Sequence, residues 1–289
     1  MAPIRARLAL GREHFQHGPI DLIVEAFGVN DAVGDAYERA WRRFDGLLEE
    51  LVAELPLLRG PVQQADGVRG TVALRMVRAC SPYRDVFITP MAAVAGAVAD
   101  EVVLAMTAAG DVRKAYVNNG GDIALYLAEG EQFRVGLLAD VSRPLRHGHA
   151  VALDGAFEVT AAMAVGGVAT SGWRGRSWSL GIADSVTVLA GDAAGADAAA
   201  TMVANAVIID HPAVSRRPAC EVDDNTDLGD LPVTVDVGRL PASAVRVALD
   251  RGEARARELV ARGLIWGAVL VLQSHYRTVG RACAALQPA

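Results

Sequence analysis

Asp197 and Thr201 are the two residues whose types and spacing point most directly to chemistry, with only Ala198, Ala199 and Ala200 between them. On a helix, positions four apart share a face, so a carboxylate and a hydroxyl point the same way. Two such oxygens suit a hard cation such as Mg²⁺, which keeps waters and phosphate oxygens in its other positions. The residues also have a plainer use. An Asp before an alanine run is a good N-cap, and Thr bonds back to a carbonyl one turn earlier. Spacing alone leaves both uses open.

Two glycine-rich segments come next. Asn118-Asn119-Gly120-Gly121-Asp122 reads first as a hairpin turn; its paired glycines can also offer backbone N–H groups to an anion. Gly166-Gly167-Val168-Ala169-Thr170-Ser171-Gly172 adds two adjacent hydroxyls, and the two segments together suggest a phosphate-bearing ligand. His14 and His17 read as surface or capping residues, and His147 and His149 as part of a loop beside Pro144. Lys114 is the only lysine, so any Schiff-base or phosphate-binding lysine must be that one. Cys80, Cys220 and Cys283 lack CxxC spacing and read as reduced thiols. No P-loop, HExxH, GxSxG or dinucleotide fingerprint is present.

The elements that must position these residues follow from periodicity. Residues 35–56 repeat Ala40, Phe44, Leu47, Leu48, Leu51 and Leu55 at helical spacing, and Pro56 and Pro61 should end that helix. Pro90 to Ala109 is rich in small residues and reads as a buried helix carrying Asp100 and Glu101. Strands are expected at 115–117 and 123–127 around the hairpin, and at 133–138, 157–162, 185–190, 233–237 and 265–273. Helices are expected at 197–208 and 242–262, with a break at Gly252. Without a regular βαβ period the class is α+β.

Composition narrows the options. The chain has 289 residues, 52% of them hydrophobic and 21% charged, which excludes a disordered or fibrous protein. A net charge of −6 argues against a general grip on nucleic acid. Uncharged stretches such as 86–99 and 159–173 fall short of the roughly 18–20 residues of a membrane span. Met1 to Gly18 lacks the apolar region of a signal peptide, so a cytoplasmic location is expected.

Taken in order, the segments resemble the ApbE family, flavin transferases that move FMN from FAD onto protein threonines. Val117-Asn118-Asn119-Gly120-Gly121-Asp122-Ile123 is similar to that family's V-N-x-G-G-D-I loop, and Val168-Ala169-Thr170-Ser171-Gly172 to its V-A-T-S-G strand end. Ser185-Val186-Thr187-Val188, followed by Ala196-Asp197-Ala198 and Thr201, resembles its S-V-T-V and A-D-A-x-x-T segments. Val94-Ala95-Gly96-Ala97-Val98-Ala99-Asp100 resembles its A-K-G-Y-A-V-D helix more loosely. The resemblance covers roughly residues 90–205.

It implies an α+β fold of two T-fold-like halves with a ligand cleft between them, within one ApbE-like domain over 1–289. That domain would comprise a lead-in (1–85), a core carrying the motifs (86–210) and a C-terminal segment (211–289). The resemblance further implies FAD or FMN beside Asn119, Gly120, Gly121, Asp122, Thr170, Ser171 and Gly172. Mg²⁺ would sit on Asp197, Thr201 and the main-chain carbonyl near Val94. The Gly120-Gly121 and Thr170-Ser171 segments should then converge within about 10–12 Å, a span one nucleotide bridges.

Two departures stand out: Ala95 falls where the family has lysine, and Ser177-Trp178-Ser179-Leu180-Gly181 replaces its H-x-x-D-P stretch. The pattern resembles a cytosolic ApbE-related branch, some members of which are associated with sulfide assimilation into homocysteine. The implied activities are flavin or diphosphate-ligand binding with Mg²⁺, Mg²⁺-dependent FAD hydrolysis or FMN transfer, or a non-flavin accessory role in sulfur assimilation. The implied partner is a nucleotide-like small molecule, with a second copy of the chain as another candidate; neither nucleic acid nor a membrane is expected.

Overall fold

The computed structural model describes residues 2–137, 155–281 and 286–287. In chain order these form β1 (Ile4–Arg7), β2 (Glu13–His17), β3 (Ile20–Gly28), α1 (Asn30–Phe44), α2 (Leu47–Leu58), α3 (Thr71–Cys80) and α4 (Val94–Thr107). Then come β4 (Val112–Asn119), β5 (Asp122–Leu127), β6 (Gln132–Leu137), β7 (Gly155–Thr160), β8 (Gly167–Ser171), β9 (Ser185–Ala190) and α5 (Ala193–Ala206). The chain finishes with β10 (Val214–Pro218), β11 (Pro232–Val237), α6 (Ala242–Ala261), β12 (Gly267–Leu272), β13 (His275–Gly280) and β14 (Leu286–Gln287). Helices and antiparallel strands are mixed, as the α+β class requires.

The chain divides into two compact units. The first comprises Met1–Gln132, Thr160–Ala169 and Ala190–Ala198; the second comprises Phe133–Val159, Thr170–Leu189 and Ala199–Ala289. In the first unit β1 to β5 pair consecutively and antiparallel, and the start of β8 lies against β5 with Val168 opposite Ile123. Strand periodicity sorts the side chains: Ile20, Leu22, Val24 and Ala26 of β3 are buried, while Asp21, Ile23 and Glu25 between them are half-exposed. The buried face meets α4, which packs on β4 and β5 between α1 and α3. Phe15, Trp41 and Phe44 close that core, with ring centroids 5.2–5.8 Å apart.

In the second unit β12 pairs antiparallel with β9 and β13, and α6 lies on β12 and β13. Strands β10 and β11 form a separate ribbon, and β7 pairs with β14.

Several expected boundaries move. The predicted helix over 35–56 is two helices, α1 and α2, parted at Gly46, which sits in the left-handed region at φ +84°. Pro56 lies inside α2 rather than ending it. It removes the donor for the Val52 carbonyl, and Val52 is exposed, so water can take the donor's place. α6 runs through Gly252, where a Cβ would stand 2.3 Å from Val207 Cγ2 and 2.7 Å from Leu270 Cδ2; that glycine serves packing. The segment Pro90–Thr107 has the length and hydropathy of a membrane span, contrary to expectation. More than half of it is buried inside the protein, and its core location accounts for its composition. His14 and His17 lie on β2, where His17 is buried and His14 Nε2 is 2.9 Å from Asp21 Oδ1. His147, His149 and Cys283 lie outside the described residues; Cys80 is buried and Cys220 exposed, neither in a disulfide.

Candidate functional site

The β4–β5 hairpin turns at Gly120 and Gly121, with φ of +67° and +116°. Such angles explain the glycine pair, since any Cβ is disfavoured there. Asn119 pairs with Asp122 across the turn, and Gly121 N–H donates to Asn118 Oδ1 at 2.9 Å. That donor is therefore used within the turn. Asn119 is buried and its Nδ2 donates to the Ala95 carbonyl at 3.1 Å, tying the turn to the first residues of α4.

Asp197 reaches the same place from α5. Its Oδ2 accepts the Gly96 N–H at 3.0 Å, and the Ala95 N–H also bonds its carboxylate. These are N-terminal amides of α4, which has no side-chain cap of its own. Asp197 thus caps another helix. It is not the N-cap of its own, because α5 begins four residues earlier at Ala193. The reverse contact completes the pattern. Asp100 of α4 is buried, and its two carboxylate oxygens accept the Ala193 N–H at 3.0 Å and the Ala194 N–H at 2.9 Å, at the start of α5. Each helix carries the carboxylate that satisfies the other's orphan amides.

The crossing requires close approach. A Cβ at Gly96 would stand 2.2 Å from the Ala193 carbonyl oxygen, and one at Gly167 2.3 Å from Ala193 N. Glycine at both positions lets the backbones meet.

Electrostatics set this place apart. Desolvation pushes the Asp197 carboxyl well above its ordinary range, and the negative charge of Asp122 pushes it further; the Gly96 and Ala95 amides pull the other way. Asp100 is raised to about 6 by burial, against the pull of its two amides. Asp197 and Asp122 are both half-buried, and two carboxylates acting on each other favour a proton or a cation between them. Among the described residues, no group of three or more His, Cys, Asp and Glu side chains is placed to hold a metal. A donor set of one or two carboxylates, completed by water, carbonyl or phosphate oxygens, is the ordinary habit of Mg²⁺. The residues fit that ion.

Asn119, Gly120, Gly121, Asp122, Val94 and Asp197 belong to the first unit, and Thr170, Ser171, Gly172 and Thr201 to the second. Val94 is the first residue of α4, and Thr201 lies one turn beyond Asp197 on α5. In the second unit, Thr170 Oγ1 is 2.9 Å from Thr187 Oγ1. Gly172 fits because a Cβ there would be 2.5 Å from the Asp184 carbonyl oxygen. Ser179 is buried, with Oγ 3.1 Å from Asn205 Oδ1. Asp100, Gly96 and Asn119's link to α4 are what spacing arguments missed. The signal was Gly96 and Asp100 four apart, hence on one helical face.

Fold and site define an α+β protein whose two central acidic residues sit on crossed helices beside a Gly-Gly hairpin. The family model described as "AbpE bacteria" matches residues 5–280, and the chain belongs to that family, within the ApbE-like superfamily. A UPF0280 protein of Methanothrix thermoacetophila is 38% identical over 164 residues, 56% of this chain; the match spans 65% of that relative's length. A UPF0280 protein of Methanosarcina acetivorans is 34% identical over 215 residues, 73% of this chain and 78% of the relative. Among solved structures, the ApbE protein of Thermotoga maritima aligns over 99% of both chains at 12% identity and a TM-score of 0.43. The apo flavinyl transferase ApbE of Pseudomonas stutzeri aligns over 98% of this chain and 96% of that one, at 14% identity and a TM-score of 0.38.

Proposed function

We propose that this is a cytoplasmic protein that binds a flavin nucleotide, FAD or FMN, or another diphosphate-containing ligand, in a Mg²⁺-dependent manner. The observation that carries this reading is the use of the helix amides. N-terminal amides attract phosphate when they are open, but here Ala95 and Gly96 donate to Asp197, and Ala193 and Ala194 to Asp100. A phosphate group approaching this acidic crossing therefore needs a cation as intermediary. Asp197 and Asp122 are the residues that would hold it, with Thr201 and the Val94 carbonyl as the further oxygens the family resemblance supplies. Once bound, Mg²⁺ would neutralise charge on the diphosphate. Asn119 holds the hairpin against α4, and Gly120 and Gly121 let the turn stay small beside the ligand.

The test is titration of the purified protein with FAD, FMN and ADP, with Mg²⁺ and with EDTA, followed by flavin fluorescence and calorimetry. Binding with Mg²⁺ that disappears in EDTA is expected. Equal binding under both conditions would defeat the cation's role, and no binding of any of the three would defeat the reading altogether. Release of FMN and AMP from FAD in the same samples would extend it from binder to diphosphatase.

A further inference from the structure

We infer that Asp100 is a positioning residue for Asp197: it clasps the start of α5 and so fixes where the Asp197 carboxylate stands against α4. The inference rests on the Mg²⁺-site reading above for its functional consequence, but its structural basis is independent. Asp100 takes two amides of α5 in a two-pronged grip, at 3.0 and 2.9 Å. Asp197 lies one turn further along the same helix and takes the Gly96 amide at 3.0 Å. Residues 95 and 96 thus face 197, while 100 faces 193 and 194, so the two helices run in opposite directions along a shared segment with one carboxylate at each end.

Between these two ties, Gly96 and the Ala193 carbonyl are too close to admit a Cβ. The crossing therefore has little slack at its centre, and its orientation is set by the two ends. Removing one tie lets α5 pivot about the close contact and displaces the other. Charged-group hydrogen bonds are the strong ones, and a buried carboxylate with both oxygens engaged has few alternative poses. Asp100 itself is buried at 5% exposure and faces amides, not solvent. Its role is to act through Asp197.

The test compares Asp100→Asn with the wild type in the full chain. An amide keeps one acceptor and sets an N–H₂ against the second α5 amide, so the grip fails without a change in size. Hydrogen exchange at Ala95 and Gly96 is the structural readout. The substitution should speed exchange at these two amides by about tenfold or more, although the Asp100 carboxylate bonds the amides of Ala193 and Ala194. A residue that merely caps α5 would speed exchange at Ala193 and Ala194 and leave Ala95 and Gly96 as they were; that result overturns the inference.

The functional readout is Mg²⁺ affinity, expected to fall about 10- to 100-fold as for other residues that orient a metal ligand. Unchanged affinity would also count against it. If the wild type itself shows no Mg²⁺ response, the proposed function fails, and exchange at Gly96 still decides whether Asp100 positions Asp197. Should Asp100→Asn not fold, Asp100→Glu keeps the charge on a longer arm. It is expected to give the same exchange pattern to a lesser degree, and wild-type exchange at Gly96 in that variant would overturn the inference.

Discussion

Asn and Asp cap a helix about equally well, which lets substitution at Asp197 separate charge from hydrogen bonding. Asp197→Asn keeps an acceptor for the Gly96 amide and removes the repulsion from Asp122. In EDTA it should lose less stability than Asp197→Ala, which loses about 1–2 kcal/mol with the cap. Both should lose the Mg²⁺ response. Urea denaturation with and without the ion checks this, and a Mg²⁺ response surviving in Asp197→Asn would remove Asp197 from the site. Asp100 gives a pH test. Its carboxyl is raised from 3.8 to about 6 in the folded protein, so between those values the native state holds the proton that the unfolded state has released. Stability from this group is present below the unfolded value and is lost as pH rises through about 6, by roughly 3 kcal/mol in order of magnitude. The stability of the wild type relative to Asp100→Asn should therefore increase on acidification from about pH 7 to about pH 4. A constant difference across that range would contradict the burial of a chargeable group there.

At the scale of elements, two helical glycines predict different penalties. Gly96→Ala drives a Cβ to 2.2 Å from a backbone oxygen of α5. Neither helix can yield without moving its partner, so the loss should be about 3 kcal/mol, the upper part of the usual overpacking range. Gly252→Ala meets side chains rather than backbone, Val207 Cγ2 at 2.3 Å and Leu270 Cδ2 at 2.7 Å, and a helix gains about 1 kcal/mol when Ala replaces Gly. It should cost about 1–2 kcal/mol net, less than Gly96→Ala. Chemical denaturation of the two variants orders them; equal losses would mean the α4–α5 contact is looser than described. The same elements show what the sequence could reveal. Asn118 to Gly121 is legible because a tight hairpin needs left-handed residues in that place, and β9 runs over Ser185–Ala190 as its apolar run indicates. The α1–α2 break is hidden because the apolar spacing continues through Asp45-Gly46, and only the left-handed Gly46 marks it. The start of α5 is hidden for another reason. Its first amides are met by Asp100, 93 and 94 residues away in sequence, while Asp192 Oδ1 takes the Gly195 N–H at 2.7 Å. Asp192 is thus a local N-cap, but Asp197 before the alanine run offers an equally good one in sequence, and only the fold separates the two.

For the molecule as a whole, the question is whether the flavin binding proposed above would extend to transfer of FMN onto a protein threonine. Transfer requires a diphosphate held in line, a metal on its oxygens and an activated acceptor hydroxyl. The resemblance supplies a lysine in the A-K-G helix and a histidine–aspartate stretch near the reacting centre, and this chain has neither. Ala95 replaces the lysine, and its own amide and carbonyl are engaged by Asp197 and Asn119. Ser177-Trp178-Ser179 stands in for the other stretch; Ser179 is buried and engaged with Asn205, and none of the three is an acid or base at neutral pH. Lys114 is no substitute. Its ammonium donates to the Gln132 carbonyl at 3.0 Å, lies 3.4 Å from Glu131 and sits 5.1 Å from the Phe27 ring centre. It is five residues before Asn119 on β4, about 17 Å from the turn at the rise of an extended strand. Removing one oriented polar group from such a site costs about 10²–10³ in rate, and two losses that overlap still leave a slow transferase below useful turnover. The expected outcome is bound flavin without adduct when the protein is incubated with FAD, Mg²⁺ and a threonine-containing acceptor domain and the acceptor is weighed by mass spectrometry. Stoichiometric FMN adduct within minutes would sink this prediction, and Ala95→Lys offers the converse test: a lysine restored at the start of α4 should raise the adduct yield above that of the wild type.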